Sequence, residues 1–362
     1  MPFRKGAAIH MRATTPMLSV RGMRTEFPVR STWLQRQISS LVAVNNVDLD
    51  ILPGQTVGLV GESGSGKSTL ARSIIGLEDP AAGTISFDGQ DLAALTRSQR
   101  RATSRDIQMI FQDPGSSLNP RRTAYQIISE GWRIHRDIAP AKGTWRDEVT
   151  ELLERVGLST AHLDRYPHQF SGGQRQRISI ARALSMRPKL IICDEPVSAL
   201  DVSVQAQVLN LLAQLQTKFD LTYLFISHDL SVVRHISDRV VVMYKGRIIE
   251  AGSRDQIFDT PRHPYTQMLL SSIPVVRPWR HSGTRRIPVR NDADASDTTS
   301  AGCAFAPRCP WAFDRCWNDV PELQQRNTST QQAACHLSDT QPAPHQASEA
   351  PQPVPAGSRI TS

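Results

Sequence analysis

No apolar run in this 362-residue chain approaches the roughly 20 residues that a membrane-spanning helix requires. The first 20 residues also lack the apolar centre of a secretory signal, so the expectation is a chain that stays in the cytosol unless a partner tethers it. Lysine is scarce. Among 42 Lys and Arg residues the lysines are Lys5, Lys67, Lys142, Lys189, Lys218 and Lys245, so arginine supplies most of the cations behind the net charge of +8. Those cations are scattered rather than gathered in a stripe, and contact with nucleic acid or an anionic membrane is permitted but not required. Heptad runs are missing too, which argues against a long coiled coil. Cysteine stays rare until late: Cys193 stands alone in an apolar stretch, whereas Cys303, Cys309, Cys316 and Cys335 crowd the last sixty residues.

What is present suffices for one large core and a smaller appendage. Residues 1–16 are polar and unpatterned and read as a flexible arm. Alternation begins at Met17, with strands expected over Leu18–Arg21, Val42–Val44 and Val47–Ile51 around an insertion from Pro28 to Ser40 that carries Trp33. Thr56–Val60, Leu190–Cys193 and Leu221–Ile226 are unbroken apolar runs of the kind buried on both faces of a parallel sheet. Residues from about 113 to 183 carry helical periodicity and form a helical insert; Val204–Thr217 carries it again. Val240–Tyr244 and Arg247–Ala251 make a hairpin, followed by a helix capped by Ser253. The main unit therefore spans 17–275, with a linker at 276–300, a Cys-rich segment at 301–337 and a disordered tail at 338–362.

The chemistry centres on Gly61-Glu62-Ser63-Gly64-Ser65-Gly66-Lys67-Ser68-Thr69, which fits the phosphate-cradle pattern G-x-x-x-x-G-K-S between a strand and a helix. Its glycines let backbone amides converge, and the helix behind them aims its positive end at the same point. Lys67 adds a cation for the β and γ phosphates of a nucleotide, and the Ser68 hydroxyl can ligate the accompanying Mg²⁺. Asp194 and Glu195 end a buried strand; the first suits the metal and the second a general base that activates water.

Phe170-Ser171-Gly172-Gly173-Gln174 lies between these two elements, and with it the chain resembles the ABC transporter ATPases, whose signature reads L-S-G-G-Q. The resemblance implies an α/β P-loop fold with a parallel core sheet, an antiparallel β subdomain, a helical subdomain and a small Cys-rich C-terminal domain. It implies that Ser171, Gly172, Gly173 and Gln174 close over ATP held by a second ATPase subunit, a copy or a paralogue. Gln112 is similar to the Q-loop glutamine, a contact of Mg²⁺ and water. Ser198 and Asp201 look like the D-loop, and His228 looks like the switch histidine that contacts the γ phosphate. Trp33 is the candidate to stack on adenine, with a packing role as its alternative.

Arg262-His263-Pro264-Tyr265-Thr266 and Gly302-Cys303-Ala304-Phe305-Ala306-Pro307-Arg308-Cys309-Pro310 are similar to the tail of the dipeptide, oligopeptide and nickel importer group. The resemblance thus points to an ATPase that powers import of di- or oligopeptides. Glutathione, nickel chelates or another small solute are alternative cargoes. Two membrane-spanning permease subunits and, indirectly, an extracytoplasmic solute-binding protein would be partners, and the location the cytoplasmic face of the cell membrane, peripherally. A soluble ATPase acting on ribosomes or DNA is the rival class; the single cassette and the tail argue against it, and no nucleic acid is expected. Cys303, Cys309, Cys316 and Cys335 are spaced more widely than zinc usually prefers. Some members of the group are understood to carry a 4Fe-4S cluster here, which leaves a cluster, zinc or plain thiols as the readings.

Overall fold

The computed structural model describes residues 15–30, 37–141, 143–272, 301–325 and 330–337; the arm up to residue 14, Trp33, the linker and the tail lie outside them. Two long antiparallel strands open the chain, β1 (Leu18–Arg30) and β2 (Gln37–Ile51). The expected insertion is therefore shorter than Pro28–Ser40, because both strands run on into it: Pro28 pairs with Ser40 and Arg30 with Gln37. Pairing of β1 with β4 (Ala82–Phe87) ends at Arg24, so Pro28 lies where β1 has lost one neighbour and a missing N–H is tolerated. β4 turns at Asp88-Gly89 into β5 (Gln90–Asp91), completing a four-stranded antiparallel sheet in the order β2-β1-β4-β5.

The apolar runs form the second sheet. β3 (Thr56–Val60), β6 (Ile107–Ile110), β7 (Leu190–Asp194), β8 (Thr222–Ser227) and β9 (Arg239–Tyr244) lie parallel in the order β6-β7-β8-β3-β9. Antiparallel β10 (Arg247–Ser253) extends it, then β12 (Gln332–Ala333) and β11 (Gln324–Gln325). The pleat divides the side chains between two cores. Val57, Leu59, Ile192, Leu224, Ile226 and Met243 face the antiparallel sheet and the helix Lys67–Ile74. Val60, Ile191, Cys193, Tyr223, Phe225 and Val242 face the helical insert and the C-terminal segment. Burying each such side chain contributes roughly 1.5–3 kcal/mol, so the central strands carry the stability and the two-residue β11 and β12 only cover an edge.

The helical insert spans β6 to β7. Its principal helices, Trp145–Arg155 and Gly172–Ser185, pack around Trp132, whose indole N–H donates to Ser185 O at 2.9 Å and whose ring meets Trp145 edge-on at 5.5 Å. The C-terminal segment has no separate core among the described residues. Phe305 and Cys309 belong to the same buried cluster as Tyr244 and Tyr265, and β12 hydrogen-bonds β10.

One buried carboxylate fastens that segment. Glu250 on β10 accepts from Arg262 N at 2.7 Å, His263 N at 3.0 Å and Gln331 Nε2 at 2.8 Å. Burial pushes its carboxyl above the usual range, and the hydrogen bonds from the Arg262 and His263 amides and from Gln331 oppose that shift. Replacing it would leave buried donors unsatisfied, at about 1–3 kcal/mol for each group. Glu250→Ala is therefore expected to lower unfolding stability by about 3 kcal/mol or more in urea titration; a loss below about 1 kcal/mol would show that the staple is dispensable.

Candidate active site

Because β3, β6, β7 and β8 are parallel, their carboxyl ends open on one edge, and the segments leaving them carry the chemistry. The loop after β3 feeds the helix Lys67–Ile74, whose N-cap is Gly66. Side chains are excluded at two of its turns: a Cβ on Gly61 (φ +155) would lie 2.1 Å from Met243 O, and one on Gly66 (φ +101) 2.2 Å from Ala43 O. The cradle is thus held between β9 and β2 by backbone contact. Ser63 and Gly64 are exposed at its crest, while Ser65 and Lys67 are buried.

Lys67 Nζ donates to Gly61 O at 2.9 Å, Glu62 O at 2.8 Å and Ser65 Oγ at 3.3 Å, folding its cation back over the loop. Burial lowers its pKa, and the charges of Glu195, Asp194 and Glu62 oppose the shift. Ser68 Oγ donates to Asp194 Oδ1 at 3.0 Å, joining the cradle helix to the end of β7. Asp194 is pushed upward chiefly by burial, with the Ser68 hydrogen bond acting against it. A buried carboxylate beside a hydroxyl is a pair of hard oxygen donors, so the donor set fits Mg²⁺. Gln112, the third expected donor, turns its amide nitrogen to Glu195.

Glu195 is the meeting point of the catalytic candidates. Its backbone takes a left-handed turn at φ +46, while its amide still bonds Ile226 O at 3.0 Å. Its carboxylate accepts from Gln112 Nε2 at 2.8 Å through Oε2, and its Oε1 lies 3.0 Å from His228 Nδ1. Residues from the ends of β6, β7 and β8 therefore share one carboxylate. Ser198 turns back on the same residue, its hydroxyl donating to Glu195 O at 3.1 Å.

The other expected residues gather elsewhere. Ser171 caps the helix Gly172–Ser185 in a capping box, its hydroxyl accepting from Gln174 N at 3.3 Å and the Gln174 side chain accepting from Ser171 N at 3.0 Å. Gly173 is packed so closely that a Cβ would lie 2.4 Å from Val204 Cγ1, and the nearest neighbour of Gly172 is Leu200. Asp201 caps the helix Val202–Phe219 by accepting from Val204 N at 2.9 Å. The tip at Ser171 thus rests on the turn that follows Glu195, with Ser171 and Gly172 exposed to solvent. Among the described residues no hydrogen bond joins it to the cradle of the same chain.

Of the four late cysteines, Cys309 and Cys316 are buried and Cys303 and Cys335 partly exposed. Cys303 N donates to Cys316 O at 2.8 Å, yet among the described residues no three His, Cys, Asp or Glu side chains are grouped to hold a metal. Two cradle contacts were not foreseen: the Glu62 amide donates to Tyr265 Oη at 2.8 Å, and Arg308 forms a two-pronged ion pair with the Glu62 carboxylate at 2.9 and 3.1 Å. Both residues stand in the tail motifs, but 203 and 246 positions of chain separate them from Glu62, and no local pattern could join them.

Two family models match the chain: ABC transporter over residues 44–198, and oligopeptide/dipeptide transporter, C-terminal region, over residues 249–316. The oligopeptide transport ATP-binding protein AppF of Bacillus subtilis is 49% identical over 322 residues, covering 89% of this chain and 97% of that protein. The di/tripeptide transport ATP-binding protein DppF of Pseudomonas aeruginosa is 43% identical over 320 residues, covering 88% and 97%. Among solved structures, the dimeric cassette MJ0796 in a post-hydrolysis state with ADP and Pi gives a TM-score of 0.59 at 28% identity, over 66% of this chain and 99% of that one. CbiO1 of Clostridium perfringens, part of the complex cbiONQ, gives 0.57 at 28% identity over 68% and 91%. No helix among the described residues is long and apolar enough to cross a membrane.

A charge-assisted hydrogen bond to phosphate is worth roughly 1.5–3 kcal/mol, so Lys67→Ala is expected to weaken MgATP binding at least about tenfold. Titration with a fluorescent ATP analogue measures it; unchanged affinity would remove Lys67 from the site.

Proposed function

Because this chain belongs to the family of ABC transporter ATP-binding proteins, we propose that its ATPase cycle powers an importer of di- or oligopeptides. The observation that carries the catalytic part is the Glu195 carboxylate, shared by Gln112 and His228 one residue beyond the Asp194 that holds Ser68. The match of residues 249–316 to the oligopeptide/dipeptide C-terminal region and the names of the relatives support the cargo class.

In this reading Gly61–Thr69 wraps the phosphates and Lys67 swings from the loop carbonyls onto the β and γ oxygens. Ser68 and Asp194, with Gln112, would hold Mg²⁺, which would supply positive charge beside the transferring phosphate. Glu195 accepts a proton from water directed at the γ phosphorus, and His228 fixes the carboxylate while presenting its half-exposed ring to the phosphate. Gln112, at the entrance to the helical insert, passes the loss of that phosphate outward.

The chain does not bring Ser171–Gln174 to its own cradle, so a second ATPase subunit supplies that element in a head-to-tail pair, as the dimeric state of the MJ0796 cassette supports. Ser198 and Asp201 lie on the same joining surface. Two permease subunits carry the membrane path that the described residues lack, an extracytoplasmic binding protein delivers the solute, and this subunit sits peripherally on the cytoplasmic face. In the same reading the arm 1–16, the unit 17–275, the linker 276–300, the segment 301–337 and the tail 338–362 are the chain's divisions.

Glu195→Gln keeps the side chain's shape and removes its basicity. Hydrolysis is expected to fall at least about 10²-fold while ATP affinity is retained, and ATP-bound dimers accumulate on gel filtration. An undiminished hydrolysis rate would sink the role given to Glu195.

A further inference from the structure

Two residues of the region matched at 249–316, Tyr265 in the helix Pro264–Ser271 and Arg308 in the C-terminal segment, both hold the phosphate loop at Glu62. Tyr265 Oη accepts from the backbone amide at 2.8 Å, and the Arg308 guanidinium grips the carboxylate through Nη1 to Oε2 at 2.9 Å and Nη2 to Oε1 at 3.1 Å. Glu62 O meanwhile receives Lys67 Nζ at 2.8 Å. Amide, carboxylate and carbonyl of one loop residue are therefore all committed, two of them to residues of that region.

The grip is itself well supported. Tyr265 is fully buried, with ring centroids 4.5 Å from Tyr244 and 5.5 Å from Phe305, and the Arg308 guanidinium lies 6.0 and 5.8 Å from the rings of those same two residues. Arg308 leaves a short turn, Ala306–Arg308, that Phe305 anchors in the core. A planar fork on a rigid aromatic bed fixes direction as well as distance, which an isolated surface ion pair does not. The Arg308 side chain is only 18% exposed, so solvent screens the pair incompletely. Arg308 also borders, with Glu62, Ser63, Gly64 and Ser65, a cavity of about 350 Å³ beside the cradle.

We propose that Arg308 and Tyr265 are positioning residues for nucleotide binding: the C-terminal segment pre-orders the glycine-rich loop through Glu62. The inference rests on the ATPase reading above and adds a second use for the C-terminal segment, whose other contacts pack Phe305 into the main core and tie Gln331 to Glu250. A loop with glycines at 61, 64 and 66 has much conformational freedom to lose, and a contact that removes it beforehand strengthens binding without touching the ligand. Arg308 acts on the ground-state shape of the loop and touches none of the groups around Glu195, so its loss falls on KM rather than on kcat.

Steady-state ATPase kinetics of the full-length protein test this. Arg308→Ala is expected to raise KM for MgATP several-fold, with kcat within about twofold of the parent and an unchanged urea midpoint. Arg308→Lys, which restores the charge but not the fork, is expected to recover part of the loss. Tyr265→Phe keeps the buried ring and removes only the acceptor of the Glu62 amide, so it remains informative if Arg308→Ala folds poorly; it too is expected to raise KM. Wild-type KM in both folded variants, or kcat falling in proportion to the folded fraction with KM unchanged, would overturn the proposal. Lys67→Ala run alongside separates the two levels: if it binds ATP as the parent does, the site assignment has failed rather than the role of Arg308.

Discussion

Five strands pointing the same way constrain everything else in this molecule. A parallel sheet needs helical crossovers to return the chain, and each return leaves one strand end and one loop on the same edge. Here the edge collects Gln112 after β6, Glu195 after β7, His228 after β8 and the cradle after β3. The hydrogen bond from Ser68 to Asp194 spans 126 residues of sequence and does what no local element can: it fixes the helix behind the cradle against the strand that carries both acids. Burial makes that contact consequential, since desolvation raises the Asp194 carboxyl and the Ser68 hydroxyl, Arg72 and Lys67 oppose it.

The glycines at the cradle follow from the same constraint. β3 is the strand next to β9, and its loop must pass beneath Met243 O and beside Ala43 O, so the backbone approaches other backbone with no room for a Cβ. The antiparallel sheet is therefore part of the site's support. Its core side chains, Leu49, Ile51 and Val20 among them, pack against the same helix Lys67–Ile74 through Leu70 and Ile74. Substitutions there would be felt at the phosphates without any contact to them.

Elements with a strong local cause could be read from the sequence. Thr56–Val60, Leu190–Cys193 and Leu221–Ile226 are buried on both faces and therefore continuously apolar, and Ser253 caps a helix as its type favours. The pairing of Gln112 and His228 on Glu195 was approachable only through the resemblance, because nothing in residues 83 and 33 positions away marks them as neighbours. The strands beyond Pro28 and before Ser40 were missed for a different reason. Proline argues against a strand in general, and only the sheet order shows that β1 has one partner at that point. Trp33, foreseen as the residue that stacks on adenine, lies outside the described residues.

The tail shows how a segment without a core of its own can still matter to a distant site. Phe305 enters the cluster that already holds Tyr244 and Tyr265, so the energy that docks residues 301–325 is ordinary burial in the main core. What that docking aligns is polar: Gln331 on Glu250 and Arg308 on Glu62. Each anchor lies 81 or more positions from its partner, and each partner is itself tied to a second element, Glu250 to the helix Pro264–Ser271 through His263 N and Glu62 to the cradle lysine. Apolar contact supplies the affinity between tail and body, and the charged contacts supply register. A tail that slipped by one residue would keep much of its buried area yet leave Glu62 without its fork, and so the geometry of the phosphate loop depends on the tail's register more than on its area.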